Sequence, residues 1–345
     1  MRSAPRRTSG HEYAWVNASR IGGHSSDDSE MRGRAVLQGS DDAARPTAPR
    51  QRVTLPTFLI IGAAKSGTTS LYRYLEQHAD VFMSPVKETL YFAPEFWAPA
   101  PDGSARGIRT LADYEALFAG APVGAAVGEA SPQYLASREA PRLIHEALPD
   151  VRLVAILRDP AERAYSAYLH LVRDGVETID DFRRALAAED GRRAEGADQL
   201  WLYRDGSMYH DQLVRYFGLF PRSHVRVHLY EDFAADPAAV TKDVLEFVGV
   251  TVGDFEPDVS LRFNPGGIPR SARLHDVVGN NSLLRRAMMR LPAKVGRDVL
   301  VRVINRNLAK PGMPADIRAE LVEEFRPEVE RLEVLLGRDL ASWKT

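Results

Sequence analysis

Between residues 58 and 70 the chain passes from an apolar run through a glycine-rich turn into an amphipathic helix. Few folds accommodate that succession. Phe58-Leu59-Ile60-Ile61 ends at Gly62, and Thr68 to His78 carries Leu71, Tyr74 and Leu75 on one helical face. A short unbroken apolar run closed by glycine is the pattern of a strand buried on both faces. The turn between, Gly62-Ala63-Ala64-Lys65-Ser66-Gly67-Thr68-Thr69-Ser70, would point its backbone N–H groups and a helix N-terminus at an anion.

The same alternation continues downstream. Leu153-Val154-Ala155-Ile156-Leu157 is a second buried run, and it stops at Arg158-Asp159-Pro160. Asp159 suits a helix N-cap, Pro160 the first helical position and Glu162 the third position of a capping box. Val225 to Tyr230 reads as a third strand, and Asp236-Pro237 opens a helix with Val240, Val244 and Phe247 on its inner face. From Asp316 to Leu336, Ile317, Leu321, Phe325, Val329, Leu332 and Leu336 recur at helical spacing, with Pro327 expected to kink or split the element. Strands alternating with helices predict an α/β fold with a P-loop-like central parallel sheet flanked by helices. The simplest division is one domain over residues 55–345, preceded at 1–52 by a polar segment of mixed charge with too little apolar surface to order itself.

Composition narrows the function classes. Lys plus Arg is 45 against 47 for Asp plus Glu, a net charge of -2, which argues against a protein that coats nucleic acid or an anionic membrane. No cysteine is present, which excludes disulfides, thiolate zinc sites, iron–sulfur clusters and a cysteine nucleophile. No two histidines or carboxylates form a recognisable metal-ligand set. The basic N-terminus is not followed by the apolar stretch of a signal peptide, and no window has the length and apolarity of a membrane span. The expectation is a cytoplasmic protein. Its Arg- and Ala-rich composition suggests a bacterial source with a GC-rich genome, where secondary-metabolite biosynthesis is one setting for such a chain.

The loop is a near match to a nucleotide-binding one, and the mismatch is informative. Gly62, Gly67 and Thr69 have the spacing of G-x-x-x-x-G-K-[ST], but Thr68 stands where the lysine belongs, and the positive charge has moved forward to Lys65. A lysine in the usual slot works with Mg²⁺ on a triphosphate. One on the crown of the loop can sit beside a bridging oxygen of a shorter anion. Asp159 is better explained as a cap than as a magnesium ligand, and Arg158 precedes it where a carboxylate-only site would want no cation.

Residues 56–71 resemble the 5′-phosphosulfate loop of sulfotransferases that use 3′-phosphoadenosine-5′-phosphosulfate (PAPS). Leu157-Arg158-Asp159-Pro160-Ala161-Glu162-Arg163-Ala164-Tyr165-Ser166-Ala167-Tyr168 is similar to that family's 3′-phosphate motif. The resemblance covers most of residues 55–275 and lies on the side of the bacterial enzymes and the heparan-sulfate-type branch. It implies that Lys65, Ser66, Gly67, Thr68, Thr69 and Ser70 cradle the 5′-phosphosulfate, that Arg158 and Ser166 bind the 3′-phosphate, and that PAPS is the donor with no metal needed. Tyr209, in a stretch resembling the family's Gly-x-x-Tyr, either stacks on the purine or is a core aromatic. Arg270, in Asn264-Pro265-Gly266-Gly267-Ile268-Pro269-Arg270-Ser271, is either a second 3′-phosphate cation or a solvated loop residue.

On the acceptor side, Pro85-Val86-Lys87-Glu88-Thr89-Leu90-Tyr91-Phe92 resembles the family's Lys-Glu-x-x-x-Phe segment, whose glutamate is the catalytic base in the heparan-sulfate-type branch. The resemblance implies Glu88 as base and Lys87 as its charged neighbour; on the residues alone they are equally an exposed pair in a turn. Cytosolic sulfotransferases use a histidine base, which makes His170, one helical turn after Ser166, the alternative. Gly128-Glu129-Ala130-Ser131-Pro132-Gln133-Tyr134 resembles a second family segment, with Ala130 where heparan-type enzymes carry a lysine. Ser131 and Tyr134 are either cleft-lining or ordinary turn and core residues. The expected activity is O-sulfation of a hydroxyl on a small molecule or glycoconjugate. A P-loop kinase or NTPase and a PAPS-binding module without transfer activity are the rival readings.

Overall fold

The computed structural model of the protein describes residues 54–97, 107–196, 199–261, 263, 267–269, 306–309 and 311–345. The expected polar segment 1–52 and the Arg270 candidate lie outside them. Five strands, β1 (Phe58–Gly62), β2 (Val81–Met83), β3 (Ala126–Ala130), β4 (Arg152–Leu157) and β5 (Val225–Leu229), form one parallel sheet in the order β2-β3-β1-β4-β5. The strands read from sequence are present as β1, β4 and β5. β2 and β3 carried no comparable apolar run, since one is three residues long and the other contains Gly128 and Glu129.

Period-two alternation explains why the strand sequences are apolar throughout. Leu59, Ile61, Leu153, Ala155 and Leu157 point to one side, where they meet helices α3 (Ala140–Ala147), α4 (Pro160–Arg173), α7 (Tyr209–Phe217) and α10 (Ala315–Leu336). Phe58, Ile60, Val154 and Ile156 point to the other, against α1 (Thr68–Leu75) and α9 (Pro237–Phe247). Each large side chain so buried stabilises the fold by about 1.5–3 kcal/mol relative to exposure. Gly128 is part of this fit: a Cβ there would lie 2.2 Å from the Phe58 ring, so β3 can pair with β1 only because it has none. Smaller helices α2 (Leu111–Ala116), α5 (Phe182–Ala187), α6 (Glu189–Ala194) and α8 (Tyr230–Ala235) complete the layers, and a two-stranded ribbon, β6 (Ile268–Pro269) with β7 (Leu308–Ala309), approaches α4.

Two expectations need correction. The first helix stops at Leu75 instead of His78. On α9, Val240 and Val244 fill the inner face as expected, together with Leu245, and Phe247 packs half-buried against the same core beneath the guanidinium groups of Arg152 and Arg226. Pro327 does not split α10, which runs through it for 22 residues. One missing N–H is tolerated because Leu321, Phe325, Val329 and Leu332 pin both halves into the same core.

Candidate active site

The strands are parallel, so the carboxyl ends of β1, β3, β4 and β5 open on one edge, where ligands of such sheets bind. From β1 the chain turns through residues 62–67 into α1. Gly67 is the N-cap of α1 at φ 88°, and a Cβ there would come within 2.9 Å of Phe233. Lys65 takes φ 70° without being glycine, a conformation that costs on the order of 1–3 kcal/mol and collects at functional sites. Ser66 is fully buried, yet its hydroxyl has no hydrogen-bond partner among the described residues. Thr68 is buried and Thr69 half-buried at the start of α1, and their N–H groups have no acceptor among the described residues, while those of Ser70 and Leu71 donate to the Gly67 carbonyl. Ser70 serves differently. Its hydroxyl exchanges hydrogen bonds with the Phe263 backbone, at 3.1 Å from the N–H and 3.4 Å to the carbonyl, tying α1 to the segment at 261–263.

At the end of β4, Asp159 caps α4 by accepting from the Glu162 N–H at 3.0 Å and pairs with Arg318 at 3.2 Å, which bears out its structural reading. The Glu162 carboxylate engages Arg158 at 2.8 Å. Arg158 also lies over the Tyr230 ring, 4.9 Å from its centroid, and reaches the Lys65 carbonyl at 3.4 Å, so it joins the loop to the end of β4. Ser166 is buried on α4, about two turns further on. Tyr209 is fully buried and packs against Trp343. These are the surroundings of a core aromatic.

The segment at 87–90 brings the acceptor-side candidates against the loop. Glu88 and Leu90 take φ 62° and 54°, and the Glu88 N–H donates to the Ala130 carbonyl at the end of β3, 2.8 Å away. Glu88 pairs with Lys87 at 2.5 Å and accepts from the Gln133 amide at 3.1 Å, while its side chain stays 28% exposed. Burial raises the Glu88 carboxyl, but Lys87, Gln133 and Lys65 outweigh it and hold the group below the usual carboxylate range. Lys65 is pushed down to about 7, first by burial and then by Arg173, with Asp174 and Glu88 opposing. His170 faces the same cluster. Burial, Lys65, Arg173 and Lys87 drive it well below the ordinary imidazole value. Arg173, which has only donors, lies 2.6 Å from His170 Nδ1, so that nitrogen accepts and the proton of the neutral ring sits on Nε2.

Lys65, Lys87, Glu88 and His170 thus form one electrostatic cluster, with Arg158 joined to it through the loop. Sequence reasoning missed Arg173, Gln133 and the buried Glu129 as members. Arg173 is one turn beyond His170 on the same helix and was findable by that spacing. Gln133 and Glu129 become neighbours of the turn at 87–90 only when β3 is placed beside β2.

Comparison with known proteins agrees with this geometry. A model described as the sulfotransferase family matches residues 109–254. A crystal structure of a sulfotransferase from Alicyclobacillus acidocaldarius shares 36% sequence identity, covering 85% of this chain and 100% of that one, with a TM-score of 0.67. Human heparan sulfate glucosamine 3-O-sulfotransferase 6 is 31% identical over 218 residues, 61% of this chain and 59% of that protein. The membrane-associated sulfotransferase kil1 of Dictyostelium discoideum is 36% identical over 61% of this chain and 60% of its own length. The chain therefore spans about three fifths of the length of these two relatives.

Proposed function

Since the chain belongs to the sulfotransferase family, we propose that it is a PAPS-dependent O-sulfotransferase that moves a sulfuryl group to a hydroxyl by in-line displacement. The observation that carries this reading is the pairing of Lys65 and Glu88 in one cluster at the carboxyl ends of the strands. Each perturbs the other's ionisation, and both are held in left-handed backbone conformations. A cation and a carboxylate so placed suit a reaction in which charge grows on a leaving phosphate oxygen while a hydroxyl loses its proton.

The loop residues fit the donor. Ser66 has a buried hydroxyl without a partner, and α1 has free first-turn N–H groups. We assign Lys65, Ser66, Gly67, Thr68 and Thr69 to the 5′-phosphosulfate, with Ser70 bracing the helix, and Arg158 and Ser166 to the 3′-phosphate. PAPS supplies the sulfuryl group and departs as adenosine 3′,5′-bisphosphate. Lys65, about half-protonated near pH 7 in the free protein, regains its full charge beside an anion and steadies the leaving oxygen. Glu88 is ionised at neutral pH and takes the acceptor proton, with Lys87 and Gln133 fixing its two oxygens. His170 holds its proton on Nε2 and is better suited to donate a hydrogen bond than to act as base.

The acceptor is proposed as a small molecule or carbohydrate bearing a hydroxyl. The heparan sulfate enzymes among the relatives support the carbohydrate class, while Ala130 marks a departure from the heparan-type pattern. Residues 55–345 acting as one catalytic unit, in the cytoplasm of a bacterium and in secondary metabolism, complete the proposal. The test is transfer of radiolabelled sulfur from PAPS to a panel of phenols, sugars and alcohols in the presence of EDTA. Label in an O-sulfate product is the expected result. Phosphoryl transfer from ATP with Mg²⁺, and none from PAPS, would favour the kinase reading.

A further inference from the structure

Glu129 is a fully buried carboxyl at the penultimate position of β3, and among the described residues it makes no ion pair. Four hydroxyls surround it instead. Thr89 and Ser131 each donate to Oε1 at 2.6 Å, Tyr114 donates to Oε2 at 2.8 Å, and Tyr134 reaches Oε1 at 3.0 Å and Oε2 at 3.3 Å. Burial lifts its carboxyl above the usual carboxylate range, and the four hydroxyls oppose the rise. In its ionised form it only accepts, so it takes the proton of each hydroxyl and leaves the hydroxyl oxygens free to accept.

Those oxygens face the backbone that follows Glu88. Ser131 Oγ receives the Leu90 N–H at 3.2 Å, Thr89 Oγ1 the Tyr91 N–H at 3.4 Å, and Tyr134 OH the Phe92 N–H at 3.4 Å. Three consecutive amides are thus held by hydroxyls whose orientation one buried charge dictates. They follow Glu88 and bracket Leu90, the two residues of this turn at positive φ, a backbone that persists only where its surroundings over-determine it.

We propose that Glu129 is a positioning residue which, by orienting the hydroxyls of Thr89, Ser131 and Tyr134, fixes the strained turn that carries Glu88. The inference rests on Glu88 being the base. Glu129 itself is fully buried and does not meet the acceptor. Glutamine in its place keeps the volume but removes the charge, and its N–H donors meet Tyr114 and Tyr134 if the nitrogen takes the Oε2 position, or Thr89, Ser131 and Tyr134 if it takes the Oε1 position, so Tyr134 is disturbed in either orientation.

The experiment is a double-mutant cycle on the full chain, read as release of adenosine 3′,5′-bisphosphate from PAPS with water as the acceptor. Glu129→Gln should lower turnover about 10²-fold, the loss that a misplacement near 1 Å produces, and leave the bisphosphate Kd within about twofold. Added to Glu88→Gln, it should cost almost nothing further, because its effect passes through the carboxylate already removed. A loss that multiplies with Glu88→Gln, or a parallel loss of bisphosphate binding, would make Glu129 a general fold determinant and overturn the proposal. If Glu88→Gln alone turns over normally, the base assignment fails, and the positioning role falls with it. Should Glu129→Gln not fold, Thr89→Val and Thr89→Ser decide the matter. The serine variant should recover most of what valine loses, and equal losses in the two would contradict the proposal.

Discussion

The donor side and the acceptor side of the site are built by different means. The proposed donor side is local: residues 62–70 follow one another along the chain, and backbone amides, a helix N-terminus and a single lysine would make up the anion site. Arg158 comes from a second strand but reaches the loop through one contact at the Lys65 carbonyl. The acceptor side is assembled from four separate stretches. Glu88 and Lys87 come from a strained turn, Gln133 from the segment after β3, Lys65 from the loop, and His170 with Arg173 from the far end of α4. A local anion site can be transplanted between chemistries, whereas an assembled one is free to drift with the acceptor.

That contrast can be broken by substitution. Glu88→Gln should have the largest effect, a ~10²–10⁴-fold loss of turnover typical of removing a general base, with adenosine 3′,5′-bisphosphate bound as before. Loss of both together would mean that the two sides are not separable. Arg158→Ala is the complementary cut. It removes a charge-assisted contact worth about 1.5–3 kcal/mol, so calorimetry should show bisphosphate affinity down roughly tenfold or more. Adenosine 5′-phosphosulfate, which lacks the 3′-phosphate, should bind almost as before.

The pH dependence of binding should be of similar size. Lys65 titrates near 7 in the free protein, and a bound anion raises it toward the ordinary value of 10.5. Above pH 7 the free lysine is increasingly neutral, so binding must take up a proton, and affinity should fall by up to about tenfold per pH unit. Below pH 7 this group contributes no slope. Lys65→Arg, which stays charged, should flatten the profile; an unchanged slope would assign the effect elsewhere. The smallest effect belongs to His170→Ala. Removing a neutral hydrogen-bond donor costs about 0.5–1.5 kcal/mol, roughly two- to tenfold in turnover. A dead His170→Ala beside a normal Glu88→Gln would exchange their roles.

The same contrast governs what was legible in the sequence. β1, β4 and β5 are apolar runs because both of their faces are covered, and the loop announces itself by glycines and a displaced lysine. β3 gave no such signal. Its glycine makes room for Phe58 and its glutamate binds four hydroxyls, so the features that make it work interrupt its apolar pattern. Tyr209 shows the opposite failure. An aromatic in a motif-like position reads equally as stacking platform or core, and its burial against Trp343 could be seen only in the fold. Glu88 was legible by resemblance, but its hold through Ala130, Gln133 and the Glu129 network required the fold.

The most direct test of PAPS use compares two ligands on one protein. Melting temperature and calorimetric affinity are measured with adenosine 3′,5′-bisphosphate in EDTA and, separately, with ATP and Mg²⁺. A ligand at a hundredfold excess over its Kd stabilises the native state by about 2.7 kcal/mol, so the bisphosphate without metal should raise the melting temperature by several degrees and ATP with Mg²⁺ by far less. Stabilisation by ATP with Mg²⁺ alone would contradict the assignment of the loop to a phosphosulfate.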